Sequence, residues 1–248
     1  MNSTLNTQHS ALPRKNSLGY FVTGTDTGVG KTLIACALLH AFVAAGYRAV
    51  GMKPVAAGAE PAGDGLTHSD VEQLVTASNV IVPRELVNPY GFREPIAPHI
   101  AAEQEGVAIE LQRIGDAFRR LAECADVVVV EGVGGFCVPL GPATDTAQVA
   151  ALVELPVILV VGLRLGCLNH ALLTADSIAA RGLTLAGWVA NHVDPEMLAV
   201  DANVSALEVR LPAPLLARVA YARTPSAATI GRLLTRAVPH PECGGNSL

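Results

Sequence analysis

Three apolar runs do most to limit the fold: Asp126 to Gly132 (DVVVVEG), Leu155 to Gly162 (LPVILVVG) and Leu183 to Asn191 (LTLAGWVAN). None alternates apolar with polar residues, as a strand with one wet face would, so each reads as a strand buried on both faces. Leu18 to Val22 and Arg48 to Met52 read as two more strands. Around them lie stretches with helical spacing, Lys31 to Ala45, Glu110 to Cys124, Asn169 to Arg181 and Pro195 to Arg210. This β-α-β-α alternation predicts an α/β fold, a mostly parallel twisted sheet with helices on both faces, with ligands bound beyond the carboxyl ends of the strands. Half of the 248 residues are apolar but only 4% are aromatic, which favours tight layers of Ala, Val, Leu and Ile.

End signals support the reading. Gly46 and Gly182 fall just past helices, where a left-handed C-cap is expected, and Asp194-Pro195 reads as an N-cap with proline at the first helical position. Ser69-Asp70-Val71-Glu72 matches a capping box behind a flexible segment, Ala59 to His68. Val87 to His99 holds three prolines and is long for a passive connection; it reads either as lining a site or interface or as a structural loop. No repeat or linker divides the chain. Residues 18–238 therefore read as one domain, with a disordered polar extension at 1–17 and a flexible tail at 239–248.

Charge and cysteine usage narrow the function classes. A net charge of −5 with no run of Lys or Arg offers no footprint for nucleic acid or an anionic membrane, so small-molecule partners are expected. The most apolar stretch, Ala147 to Leu163, is broken by Gln148, Glu154 and Pro156, whereas a membrane span needs about 20 mostly apolar residues. Leu18 to Val22 is also too short for a secretory h-region. Five scattered cysteines without C-x-x-C spacing argue against a disulfide framework or a zinc site and fit a reducing cytoplasm.

Gly24 to Thr32, GTDTGVGKT, follows the first strand and precedes a helix. It is one residue longer than the phosphate-loop pattern G-x-x-x-x-G-K-[ST] but keeps the glycine before the lysine and the hydroxyl after it. A helix N-terminus there turns unpaired amides and the positive dipole end toward an oxyanion. Lys31 can then reach terminal phosphates, and the Thr32 hydroxyl can hold magnesium. Asp26 is unusual within such a loop, because a carboxylate beside phosphates needs an offsetting cation or a role as a base.

A metal needs acidic partners at nearby strand ends. Glu131 emerges from four valines into the glycine-rich turn Gly132-Val133-Gly134-Gly135, which makes it the first candidate. Asp70 opens a predicted helix and Lys53 closes a predicted strand, positions suited to a metal ligand and to a cation that neutralises a transferring phosphoryl group. An acid in a first helical turn also simply stabilises the dipole, and a strand-end lysine is often merely solvated, so spacing leaves both open. His99, His170 and His192 have no metal-ligand spacing, and Cys137 reads as a small core residue rather than a nucleophile.

The stretches YFVTGTDTGVGKT, KPVAAG, NPYGFREPIAPHIAA, VEGVGG and LGCLNHALLTADSIAARGLTLAGWVAN occur in the order found in dethiobiotin synthetases, and the chain resembles that family from Leu18 to Asn191. The family's phosphate loop carries the same extra residue. The resemblance implies a single-domain, P-loop NTPase-like ligase that uses ATP and Mg2+ to join CO2 to 7,8-diaminononanoate, and a cytoplasmic homodimer with its site near the subunit interface. By this likeness Gly28, Val29, Gly30, Lys31, Thr32 and Leu33 hold the ATP phosphates, while Thr32, Asp70 and Glu131 hold magnesium. Lys31, Lys53 and Thr27 serve the reacting groups. Gly132, Val133 and Gly134 line the nucleotide and substrate pocket, with Lys53, Ala57 and Asn169 on the substrate side. Asn191 reads adenine through an amide that both donates and accepts, with His192 beside it. Three positions depart from the family pattern: Ala57 stands for a serine, His192 for an acid, and Ala220-Tyr221 for a Pro-Trp pair. The rival of the same fold is a partitioning or metallocentre-insertion NTPase switch.

Overall fold

The computed structural model describes residues 18–62 and 65–235. The expected extensions at 1–17 and 239–248, and the expected end of the domain at 236–238, lie outside them. The chain opens with β1 (Leu18–Gly24), α1 (Lys31–Ala44), β2 (Ala49–Met52) and β3 (Val55–Ala57). A hairpin of β4 (Glu60–Ala62) and β5 (Gly65–Thr67) precedes α2 (Ser69–Ala77) and α3 (Arg84–Val87). Then come β6 (Tyr90–Phe92), α4 (Pro98–Gln104), α5 (Leu111–Cys124), β7 (Val127–Glu131), α6 (Thr146–Val153) and β8 (Val157–Leu163). The last part holds α7 (Cys167–Ala180), β9 (Leu185–His192), α8 (Val200–Arg210), β10 (Leu215–Val219) and α9 (Ala227–Gly231).

The main sheet runs β2-β7-β1-β8-β9-β10, and every neighbouring pair is parallel. The valine run shows why alternation was missing: Val127 and Val129 enter the core beneath α1, whereas Val128 and Val130 enter the core on the opposite face with Ile114 and Leu121 of α5. Both faces are covered, so both must be apolar. Helix α1 is buried almost all round because α9 lies behind it; a Cβ on Gly231 would stand 2.7 Å from the Ala37 carbonyl oxygen. An interior helix has no wet stripe to show.

Several local expectations are corrected. Asp194-Pro195 does not cap α8: Asp194 accepts from the backbone of Glu196 and Met197 in a turn, and the helix waits until Val200 behind a left-handed Ala199. No capping box forms at Ser69, since α2 starts behind His68 without a side-chain cap and Glu72 instead accepts from Thr67 and pairs with Arg84. The capping box lies at Asp145 and Gln148, ahead of α6. The expected flexible segment 59–68 contains the β4–β5 hairpin, and 87–99 contains β6, which pairs in parallel with β3. Gly46 and Gly182 do take left-handed conformations, with φ of 89° and 70°.

Candidate active site

Strand β1 lies between β7 and β8, so the loop that follows it opens onto the carboxyl ends of both neighbours. Gly28 and Gly30 take φ of 73° and 92°, a region that a side chain resists, and no side chain caps α1, which leaves its first amides free to meet an oxyanion. Val29 turns inward and is fully buried. A Cβ on Gly24 or on Gly162 would come within 2.6 Å of it, so the loop is seated on two glycines. Leu33 likewise packs toward the core beneath α1, so only its backbone can serve a ligand.

Four expected residues, Thr32, Lys53, Asp70 and Glu131, join in one cluster. Glu131 ends β7 with its side chain fully buried, and its Oε1 accepts from the Thr32 hydroxyl at 2.9 Å and from Lys53 Nζ at 2.5 Å. The same ammonium lies 2.9 Å from Asp70 Oδ2 and 3.2 Å from the Gly132 carbonyl oxygen. Lys53 is 3% exposed, far from the solvated strand-end lysine that spacing allowed, whereas Asp70 is 42% exposed and borders solvent. Burial works against the Lys53 charge, but Glu131 and Asp70 outweigh it and raise its pKa. Burial also opposes ionisation of Asp70, yet Lys53 and the Thr32 hydroxyl hold its pKa below the ordinary value. Lys31 donates to the Asp26 carbonyl at 2.8 Å, and burial followed by the nearby Lys53 charge lowers its pKa to about 8.

Two carboxylates and a hydroxyl are the hard oxygen donors that Mg2+ takes alongside phosphate oxygens and water. Glu131 Oε2 is buried and has no hydrogen-bond partner among the described residues, a lone pair that a cation would satisfy. Among those residues no three His, Cys, Asp or Glu side chains converge as a metal site, so the protein offers part of a coordination shell and leaves the rest to a ligand.

The remaining expected residues lie on the loops, at strand ends and in α7. Asn191, at the end of β9, is buried and donates to the Val29 carbonyl at 2.8 Å; a Cβ on Gly30 would lie 2.3 Å from its Nδ2. His192 packs edge-on against Tyr221, with ring centroids 6.2 Å apart. Gly134 is left-handed, and a Cβ there would stand 3.7 Å from the Thr27 hydroxyl, so the glycine turn faces the exposed Thr27 across the loop. Ala57 closes β3. Asn169 lies in the first turn of α7 but does not open it, because the helix starts at Cys167 behind Gly166; its side chain is exposed. Cys137 is exposed beside the Ser177 hydroxyl and is not the core residue expected.

The sequence reading missed two contributors. Gly162, where β8 runs past the loop, admits Val29 and donates to the Thr25 hydroxyl at 3.3 Å. Arg164 pairs with Asp26 and supplies the cation that an acid in a phosphate loop requires. Both stand at the carboxyl end of an apolar run, the place where functional residues were expected.

A family model described as an AAA domain matches residues 18–229. The ATP-dependent dethiobiotin synthetase BioD of Nitrosospira multiformis is 54% identical over 216 residues, covering 87% of this chain and 94% of that protein. The chain belongs to the dethiobiotin synthetase family. The corresponding protein of Aromatoleum aromaticum is 56% identical over 202 residues, covering 82% of this chain and 90% of its own. A ParA family ATPase from Chlorobium tepidum superposes with a TM-score of 0.51 over 89% of this chain and 96% of its own, at 15% identity, a likeness of fold alone. The dethiobiotin synthetase fold here is thus a single-domain P-loop NTPase-like sheet. No helix among the described residues is long and apolar enough to cross a membrane.

Proposed function

We propose that the protein is an ATP- and Mg2+-dependent ligase that closes 7,8-diaminononanoate and CO2 into dethiobiotin, releasing ADP and phosphate. The observation that carries this reading is the meeting of Thr32 and Lys53 on Glu131 Oε1, with Asp70 on the same ammonium, at the mouth of an uncapped phosphate loop. Identity of 54–56% to dethiobiotin synthetases supports the ligase over the partitioning switch, whose fold this chain shares only at the level of architecture.

One amine of the substrate, unprotonated, forms a C–N bond to CO2 and loses a proton, giving a carbamate. A carbamate oxygen then attacks the γ-phosphorus of ATP, and the bond to ADP breaks. The second amine attacks the carbon of the resulting carbamic-phosphoric anhydride, expels phosphate, loses a proton and closes the ureido ring. The first step is an addition that creates negative charge and the next two displace ADP and phosphate, so the protein acts by positioning and charge neutralisation.

Lys31 leaves the Asp26 carbonyl for the γ-phosphate, and Lys53 offsets carbamate and phosphoryl oxygens. The Thr27 hydroxyl and the Gly132-Val133-Gly134 backbone line the pocket between them. Thr32, Asp70 and Glu131 hold Mg2+, which when bound neutralises phosphate charge. Asn191 and His192 face the base, while Ala57 and the first turn of α7 with Asn169 receive the diamino acid and its carboxylate. We read the protein as a cytoplasmic homodimer. ADP release measured with and without the diamino acid and bicarbonate tests the proposal: release should require both, and hydrolysis indifferent to either would replace the ligase with a switch.

A further inference from the structure

Asp26 is the residue on which the phosphate loop is tied to the rest of the crevice. Its carbonyl holds Lys31 at 2.8 Å, one carboxylate oxygen accepts from the Thr27 amide at 2.7 Å, and the other pairs with the Arg164 guanidinium. Arg164 lies just past β8, and its own carbonyl accepts from Cys167 N at 3.0 Å in the turn that starts α7. Two further bonds run the same way: Thr25 N donates to the Val160 carbonyl at 3.0 Å, and Gly162 N to the Thr25 hydroxyl. Residues 25–27 are thereby laced to β8 and to the entry of α7.

We propose that Arg164 is a positioning residue that grips Asp26 and so couples the nucleotide loop to the first turn of α7, making triphosphate and diamino acid bind cooperatively. The inference rests on the proposed function, because it takes the first turn of α7 as the place where the diamino acid carboxylate is received. Charge gives the second half of the argument. An unpaired carboxylate inside the loop would repel the phosphates, and Arg164 cancels it from the side facing α7, so one ion pair serves both subsites. Asp26 and Arg164 are 46% and 39% exposed, and pairs this exposed add little to stability, so the fold tolerates their loss. A single guanidinium nitrogen makes the contact, which a lysine can replace.

Calorimetric titration of ADP with and without 7,8-diaminononanoate measures the coupling in the wild type, Arg164→Ala, Arg164→Lys and Asp26→Asn, and KM and kcat are taken for each. Wild type should show each ligand tightening the other about fivefold or more, the low end of ordinary coupling. In Arg164→Ala and Asp26→Asn the factor should fall to about one, with the KM for the diamino acid raised more than kcat falls, while Arg164→Lys restores the coupling. Retained coupling in Arg164→Ala, or a wild type that binds both ligands independently, overturns the inference and leaves the ligase standing. A wild type that does not bind the diamino acid at all overturns the ligase and the inference together.

Discussion

In the proposed reaction Lys31 and Lys53 both serve phosphate groups, but what each leaves behind when removed is different. Lys53 compensates the fully buried Glu131, so Lys53→Met strands that charge and should cost about 3–5 kcal/mol of stability, the usual penalty for breaking a buried pair, as well as abolishing turnover. Lys31→Met leaves only a backbone carbonyl unpaired, so its melting temperature should stay close to wild type while turnover collapses. Equal melting losses in the two variants would contradict the assignment. Lys31 also titrates within reach: its folded pKa is about 8 against the ordinary lysine value of 10.5, so between those values the unfolded chain holds the extra proton and stability from this group rises with pH. Bound phosphates favour the ammonium. Nucleotide binding above pH 8 should therefore draw in a proton, seen as a dependence of binding heat on buffer ionisation enthalpy, and Lys31→Arg, which stays charged, should lose that uptake.

At the scale of elements, legibility followed burial. Strands β7, β8 and β9 were readable because two-sided burial writes itself as an unbroken apolar run, and α1 was readable because a glycine-lysine-threonine triplet announced its start. Caps were read less well, since a cap depends on whether a side chain can turn back to its own backbone. Glu72 had a better partner in Arg84, and Asp194 spent its oxygens on a tight turn, so neither capped the helix expected of it. The working box at Asp145 is joined to Arg181 at the far end of α7 as well. Asp145→Ala should therefore destabilise by about 0.5–2 kcal/mol, as N-cap losses do, with little change in KM; a denaturant midpoint that does not move would show the box to be idle.

For the whole molecule, the site draws on residues far apart in sequence, which is why the motif at Gly24 to Thr32 foretold phosphates but could not by itself rank Asp70 and Lys53 above ordinary surface charges. Family likeness named them; parallel pairing of β2 with β7 brings Lys53 to Glu131, and the packing of α2 on α1 and β2 brings Asp70. The same packing supplies a probe. Cys36 lies buried in α1 with its thiol pushed up to about 12 by burial, whereas Cys124 and Cys137 are exposed. An alkylating reagent should label the latter two at once and reach Cys36 only as fast as the domain opens, and nucleotide with magnesium should slow that labelling by mass action. Immediate labelling of Cys36 would mean that α1 is less enclosed than its packing implies.

Strand β1 leaves the ribosome before the other described strands, yet both of its neighbours, which pair Leu18 with Val127 and Phe21 with Val157, are encoded more than a hundred residues later. A nascent chain therefore carries this largely buried ribbon unflanked until β7 and β8 have been made. Such a ribbon invites chaperones, and the enzyme can acquire catalytic competence only when translation is well past its midpoint.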